Sequence, residues 1–319
     1  MARLCQIDAF SAVPLAGNGA AVVVLEAPAP QSWMQALASE TAQSETAFLW
    51  KAGGHWLLRW FTPSCEVDLC GHATLAAACA LARQGLLEEG VATELISRSG
   101  PLTVTAAADQ FSAILPSGRL RQSPPELSSG HLALAELLGT PLHNHWTSSL
   151  GYEVVELADP AVLPTLKPHQ AALANRDAQA LVVMAKGGPA RTGPPTLSPE
   201  REAAREPEPP RQGAQACSQP WDYSLRFFAP RFGIPEDPVT GSAHALVAPL
   251  WCQRLGRREV HGWQPSHRPG GMTCTTLPTA QVRLAGPCTL VWSGELLEVA
   301  RQPDEQGWRA LQMAAAALP

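Results

Sequence analysis

The chain lacks most of the signals by which a sequence declares a membrane, nucleic-acid or metal-dependent role. No apolar run reaches the roughly 18 residues that a membrane-spanning helix needs. The apolar run Ala73 to Ala82 is ended by Arg83 and Gln84. The N-terminus, Met1-Ala2-Arg3-Leu4-Cys5-Gln6-Ile7-Asp8, holds no apolar stretch of signal-peptide length. The formal net charge is −5 and no basic block occurs, so nothing offers a footprint for nucleic acid or an anionic membrane. The eight cysteines are scattered without a CxxC pair, which argues against a zinc ribbon and leaves no metal expected. With no signal peptide they read as reduced thiols in a cytoplasmic protein. GxGxxG and Walker A sequences are missing, so nucleotide binding has no support. The absence of GxSxG argues against an α/β-hydrolase.

What the chain does have is one pattern written twice. Arg59-Trp60-Phe61-Thr62-Pro63 leads into Gly71-His72-Ala73 and a run of small apolar residues. Arg226-Phe227-Phe228-Ala229-Pro230 leads into Gly241-Ser242-Ala243-His244 and another such run. A repeat this widely spaced implies two halves of like fold, and 319 residues suffice for two cores. Like halves that face each other would form a cleft, where ligands usually sit.

Local patterns predict short strands over Leu4 to Phe10, Ala20 to Leu25, Thr46 to Trp50 and Trp56 to Phe61. A helix is expected over Ser32 to Ala42, with Ser32 and Gln35 at capping-box spacing. Gly71 to Gln84 and Gly241 to Leu255 read as helices without a continuous polar face. Such helices are buried all round, which requires a sheet to curl about each; Pro249 is expected to kink the second. The fold class is therefore α+β: two pseudo-symmetric domains, each a curled, mostly antiparallel sheet or barrel around a central helix. The expected boundaries are 1–118 for the first domain, to which a strand near 290–300 returns, and 119–289 for the second. Residues 301–319 form a C-terminal extension, with a short helix from Trp308. The proline-rich stretch 187–215 has little to bury and reads as a mobile surface loop.

Each central helix starts at a glycine after a turn. A helix start presents free N–H groups and partial positive charge, which suit carboxylates and developing oxyanions. Two such ends in one cleft would favour proton abstraction beside a carboxylate. His72 and Ser242 each lie one residue past the opening glycine. Glu45 sits between a helix and an apolar strand; it either caps or salt-bridges locally, or faces the cleft, where burial would raise its pKa for acid/base work. Asp237 either fixes the turn before Pro238 or faces a ligand. Cys70 directly precedes Gly71, whereas the second copy offers Thr240 before Gly241. A threonine hydroxyl without a base cannot take a carbon-bound proton, so a two-cysteine racemase is not expected.

These residues resemble the PhzF family. The resemblance is carried by Asp8-Ala9-Phe10, Gly17-Asn18-Gly19-Ala20-Ala21-Val22, Ser44-Glu45-Thr46-Ala47-Phe48, Arg59 to Pro63, Glu66-Val67, Cys70-Gly71-His72-Ala73-Thr74, and Glu236-Asp237-Pro238-Val239-Thr240-Gly241-Ser242-Ala243-His244. It implies the diaminopimelate-epimerase-like fold and cofactor-independent isomerase chemistry. By that resemblance Glu45 shuttles a proton between carbons of a small carboxylic acid, while Gly71, His72, Asp237, Gly241 and Ser242 bind the substrate. The partner implied is a small-molecule carboxylate, and a homodimer is left open. The competing reading is a member of the same fold that binds without catalysing.

Overall fold

The computed structural model describes residues 2–123, 129–188, 220–297 and 303–318. The chain divides into two units, one of Met1–Leu115 with Leu284–Pro319, the other of Pro116–Arg283. Most of the stretch 187–215 lies outside the described residues.

The first unit begins with the antiparallel pair β1 (Arg3–Ala9) and β2 (Asn18–Leu25). Helix α1 (Gln31–Thr41) crosses to β3 (Glu45–Ala52), which lies parallel to β2, and β4 (His55–Phe61) turns back antiparallel to β3. The short β5 (Glu66–Val67) pairs with β4 and delivers the chain to α2 (Gly71–Arg83). After α2 comes β6 (Thr93–Ser97), parallel to β4, then the antiparallel strands β7 (Gly100–Ala107) and β8 (Gln110–Pro116). The late strand β17 (Gln281–Glu295) pairs with β8 and, antiparallel, with β1. Eight strands thereby close on themselves, which leaves this sheet without an exposed edge.

Helix α2 fills the barrel. His72 through Leu81 are all buried, and the helix packs on β1, β2, β3 and β7. Its alanines let the backbone approach the strands closely, and its leucines Leu75 and Leu81 are fully enclosed. Truncating either to alanine costs about 2–5 kcal/mol by the usual cavity cost. The helix ends where Gly85 takes a left-handed φ of 69°. The N–H of Leu86 then bonds Leu81 O at 2.9 Å and that of Gly85 bonds Ala82 O at 3.0 Å, satisfying carbonyls the last turn would leave open.

The second unit repeats this order. Strand β9 (Leu120–Gln122) and helix α3 (Ser129–Leu138) precede the antiparallel pair β10 (Leu142–Ser148) and β11 (Tyr152–Leu157). Helix α4 (Gln170–Ala174) crosses to β12 (Ala180–Lys186), parallel to β11; β13 (Tyr223–Ala229) returns antiparallel, and the short β14 (Ile234–Asp237) pairs with it. Then follow α5 (Gly241–Leu255), β15 (Glu259–Gln264) parallel to β13, and β16 (Gly270–Leu277) antiparallel to β15. The succession of antiparallel and parallel pairings from β10 to β16 is that of β1 to β7, so the α+β repeat expected from the sequence is present. Helix α5 closes with the same device as α2: Gly256 has φ 65°, and Arg257 N–H bonds Cys252 O at 3.1 Å.

Two local expectations are corrected. Helix α1 has Pro30 at its cap and no side-chain cap bond; Gln35 instead donates to Thr62 O at 2.9 Å, a long-range partner that outcompetes the local one. Helix α5 runs on through Pro249 to Leu255. The residues after 302 are integral to the first unit: Trp308 is fully buried against Trp50 and donates to Ala29 O, ahead of helix α6 (Arg309–Ala316).

Candidate active site

The parallel pairing of β2 and β3 sets Ala20 opposite Glu45. Asn18 and Ser44 stand at these strand starts, and the first turn of α2 is directed at them. His72 is the hub. Its Nδ1 lies 3.2 Å from Asn18 Nδ2 and 3.5 Å from Cys70 Sγ. Its Nε2 lies 3.1 Å from Ser44 Oγ and 3.2 Å from Glu45 Oε2. Ser44 donates its own proton to Gly19 O at 3.2 Å, so its oxygen is available to accept from the ring. The structure therefore brings Glu45, Gly71 and His72 together, and adds Asn18, Ser44 and Cys70.

Charges in this cluster are set by competing effects. Burial raises the Glu45 pKa, but the His72 charge and its hydrogen bond outweigh burial, so Glu45 ends below the ordinary carboxylate value. This corrects the expectation of a raised pKa: the charged neighbour wins over desolvation. Burial alone would lower His72, yet its interactions with Cys70 and Glu45, hydrogen bonds among them, hold it well above the usual imidazole range. Cys70 is itself pushed up by burial and by Glu45. It is thus a thiol at neutral pH, and Glu45 carries the charge that holds the imidazolium. The Asn18 amide serves a neutral ring by donating to Nδ1, and a half-turn of the amide presents its oxygen to a charged one.

Glu45 Oε2 is buried and lies 3.2 Å from Nε2 of His72, with which it forms an ion pair. Glu45 keeps one-fifth of its side chain exposed. A carboxylate held ionised beside an imidazolium, and still partly exposed, is available to accept a proton.

In the second unit the start of α5 is built differently. Asp237 accepts from the Thr240 hydroxyl. Gln264, fully buried, accepts from Thr240 N–H at 2.9 Å and donates to Asp237 O at 2.6 Å. Ser242 Oγ lies 3.3 Å from Tyr152 Oη. His244, three residues into the helix, is pulled by burial down to about 3 and meets Tyr223 Oη at 2.8 Å; the neutral ring accepts from the phenol. Asp237, Gly241 and Ser242 thus stand together, supported by Gln264 and Tyr152, which sequence reasoning did not single out.

Two glutamates that stand in the motifs, Glu66 and Glu236, were given no role by the sequence. Arg59 donates to Glu66 through Nε at 2.7 Å and Nη2 at 2.8 Å. Arg226 does the same to Glu236 at 2.8 and 2.6 Å. Each glutamate lies five residues before the glycine that opens its helix. The three extra residues of the second copy fall between Arg226 and Glu236, and this constant five-residue spacing was the signal available in the sequence.

The family model for phenazine biosynthesis-like proteins matches residues 7–192 and 196–294. An uncharacterized isomerase of Pseudomonas aeruginosa is 37% identical over 291 residues, covering 91% of this chain and 97% of that protein. The crystal structure of a PhzF-family phenazine biosynthesis protein from Enterococcus faecalis is similar at a TM-score of 0.77 and 31% identity, covering 93% of this chain and 99% of the other. A probable proline racemase from Agrobacterium radiobacter shares the fold at a TM-score of 0.55, with 9% identity over 95% of each chain.

Proposed function

The chain belongs to the phenazine biosynthesis-like (PhzF) family, and from that premise we propose that it is a cofactor-independent isomerase moving a proton between carbons of a small carboxylic acid. Glu45 is the acid/base in this reading. The observation that carries it is the ionised Glu45 carboxylate, whose Oε2 lies 3.2 Å from Nε2 of the buried His72. As a carboxylate, Glu45 takes the proton from the substrate carbon; as a carboxylic acid, it returns that proton to a second carbon. The His72 imidazolium opposes the negative charge of the substrate and keeps Glu45 ionised between turnovers. The N-terminal amides of α2 at Gly71 and His72 suit a carboxylate or a developing oxyanion, because they lack intrahelical acceptors. Asp237, Gly241 and Ser242, at the matching helix start of the second unit, are proposed as substrate-binding groups. The isomerase class is supported by the relative of that description in Pseudomonas aeruginosa.

The test is a panel of small carboxylic acids incubated in deuterated water, with deuterium incorporation at carbon read by NMR. Wild type is expected to exchange at least one compound. Glu45→Gln, isosteric but unable to take a proton, should lose about 10²–10⁴ in rate while keeping its fold. Full exchange by Glu45→Gln on the same compound would remove Glu45 from the role.

A further inference from the structure

Each unit builds the same contact at the start of its central helix. In the first, Gly17 takes a left-handed φ of 69°. The next residue, Asn18, opens β2 and lies 3.2 Å from His72, the second residue of α2. In the second, Gly151 takes a left-handed φ of 75°. The next residue, Tyr152, opens β11 and sets its Oη 3.3 Å from Oγ of Ser242, the second residue of α5. Tyr152 is therefore the counterpart of Asn18. We propose that Tyr152 is a further substrate-binding residue, whose phenol engages an uncharged hydroxyl or carbonyl oxygen of the substrate beside Ser242. This rests on the binding role given to Ser242 above.

Size separates the two counterparts. Asn18 is fully enclosed and its amide serves the His72 ring. Tyr152 is half-buried. Its ring stands edge-on to Phe227 at 5.1 Å between centroids, a packing that aims the phenol. Tyr152 also lines a cavity of about 560 Å³ within the second unit, together with Thr147, Ser148, Glu153, Arg176 and Asp177. That volume falls in the range of roughly 300–1,000 Å³ that small-molecule sites occupy. One side chain thus joins the helix start to a space large enough for a small metabolite.

The lining selects the group that enters. Arg176 is committed to Glu153 through two hydrogen bonds, at 2.6 and 2.7 Å. Those two charges cancel, and Asp177 then leaves the lining with a negative surplus. A second carboxylate of a ligand is repelled there. A neutral oxygen is not. A hydroxyl both donates and accepts, so Tyr152 and Ser242 can each bond such an oxygen while staying bonded to one another. A site built to pair an oxygen discriminates against the analogue that lacks it.

The experiment uses the small number of tyrosines. The chain has two, Tyr152 and the fully buried Tyr223, so tyrosine labelled with carbon-13 at Cζ gives two resonances, assigned by Tyr152→Phe or by Tyr223→Phe. The labelled full chain is titrated with 3-hydroxybenzoate, benzoate and isophthalate, three acids that differ at a single ring position. In wild type, 3-hydroxybenzoate is expected to move the Tyr152 resonance, to leave that of Tyr223 in place, and to bind most tightly of the three. Tyr152→Phe keeps the ring against Phe227 and removes only the hydroxyl. It should keep the melting temperature and bind 3-hydroxybenzoate about tenfold more weakly by calorimetry, the effect of one lost hydrogen bond. A Tyr152 resonance that none of the three acids moves, unchanged affinity in Tyr152→Phe, or isophthalate bound as tightly as 3-hydroxybenzoate would each overturn the proposal. These readouts record binding and not turnover. Carbon exchange with a still Tyr152 resonance removes Tyr152 and leaves the isomerase reading, whereas a moving resonance without exchange does the reverse.

Discussion

Arg59 grips Glu66 through two parallel hydrogen bonds while both side chains are nearly enclosed, at 3% and 4% exposure. The pair joins β4 to the two-residue strand β5, which leads directly into α2. Arg59 also donates to Gly307 O and to Gln31 Oε1, so one guanidinium ties the approach to α2 to the start of α1 and to the C-terminal segment. Arg226 and Glu236 repeat the arrangement ahead of α5. A fixed clamp at a fixed distance holds the first turn of each central helix, and with it the groups at that turn.

Breaking the clamp should be costly. Glu66→Gln leaves a buried guanidinium without its counter-charge, and losing one partner of a buried pair costs about 3–5 kcal/mol. Glu236→Gln should act in the same direction, somewhat less because Arg226 and Glu236 are more exposed. Urea unfolding midpoints measure this. A loss below about 1 kcal/mol in both variants would show that the pairs do not hold the helix starts.

The His72–Glu45 pair gives stability a defined pH profile. His72 is raised in the fold, so its contribution is complete below its ordinary value of 6.5 and is lost as pH rises through the raised value. Glu45 is lowered, so its contribution is present above its ordinary value of 4.5 and is lost as pH falls through the lowered value. Both operate between about pH 4.5 and 6.5. The stability advantage of wild type over His72→Gln should therefore be widest there and shrink on the alkaline side. Cys70 is raised by burial, so its contribution is lost only above its ordinary value of 9.0, outside the window from about pH 4.5 to 6.5. Denaturation midpoints at acidic, neutral and alkaline pH test this, and an advantage that grew with pH would contradict it.

Cys70→Ala and Glu45→Gln should separate cleanly in the exchange assay. A thiol acts as a base only when ionised, and burial keeps Cys70 protonated. Cys70→Ala should retain exchange within about tenfold, against about 10²–10⁴ lost by Glu45→Gln. The reverse pattern, a folded but inactive Cys70→Ala beside a working Glu45→Gln, would restore cysteine chemistry.

Gly262 is required for space. A Cβ there would collide with His244 Nδ1 and stand 2.6 Å from Tyr223 Cζ and Oη, and both of those side chains are fully buried. Gly262→Ala should destabilise by about 1–3 kcal/mol through overpacking. Gly294→Ala, where a Cβ meets nothing within 4 Å, should stay within about 0.5 kcal/mol. Differential scanning calorimetry of the two variants compares them directly, and equal melting temperatures would refute the packing argument.

By itself the sequence determined the two-fold plan and the place of its helices. Gly71 to Arg83 offers no polar face, and a helix without one has no side to show to water, so its burial inside a sheet follows from composition alone. The duplicated Arg-to-Gly pattern carried the repeat for the same local reason. Only the tertiary structure decided what depends on neighbours remote in the chain. Gln35 left its capping position for Thr62 O, Trp308 came to lie under Trp50, and β17 came back to pair with β1. It also decided the sign of the Glu45 pKa shift. Glu45 lies 27 residues before His72 in the chain, and its charge state is set by a 3.2 Å contact that no local pattern encodes, because electrostatic energy depends on distance in space and not on separation in sequence.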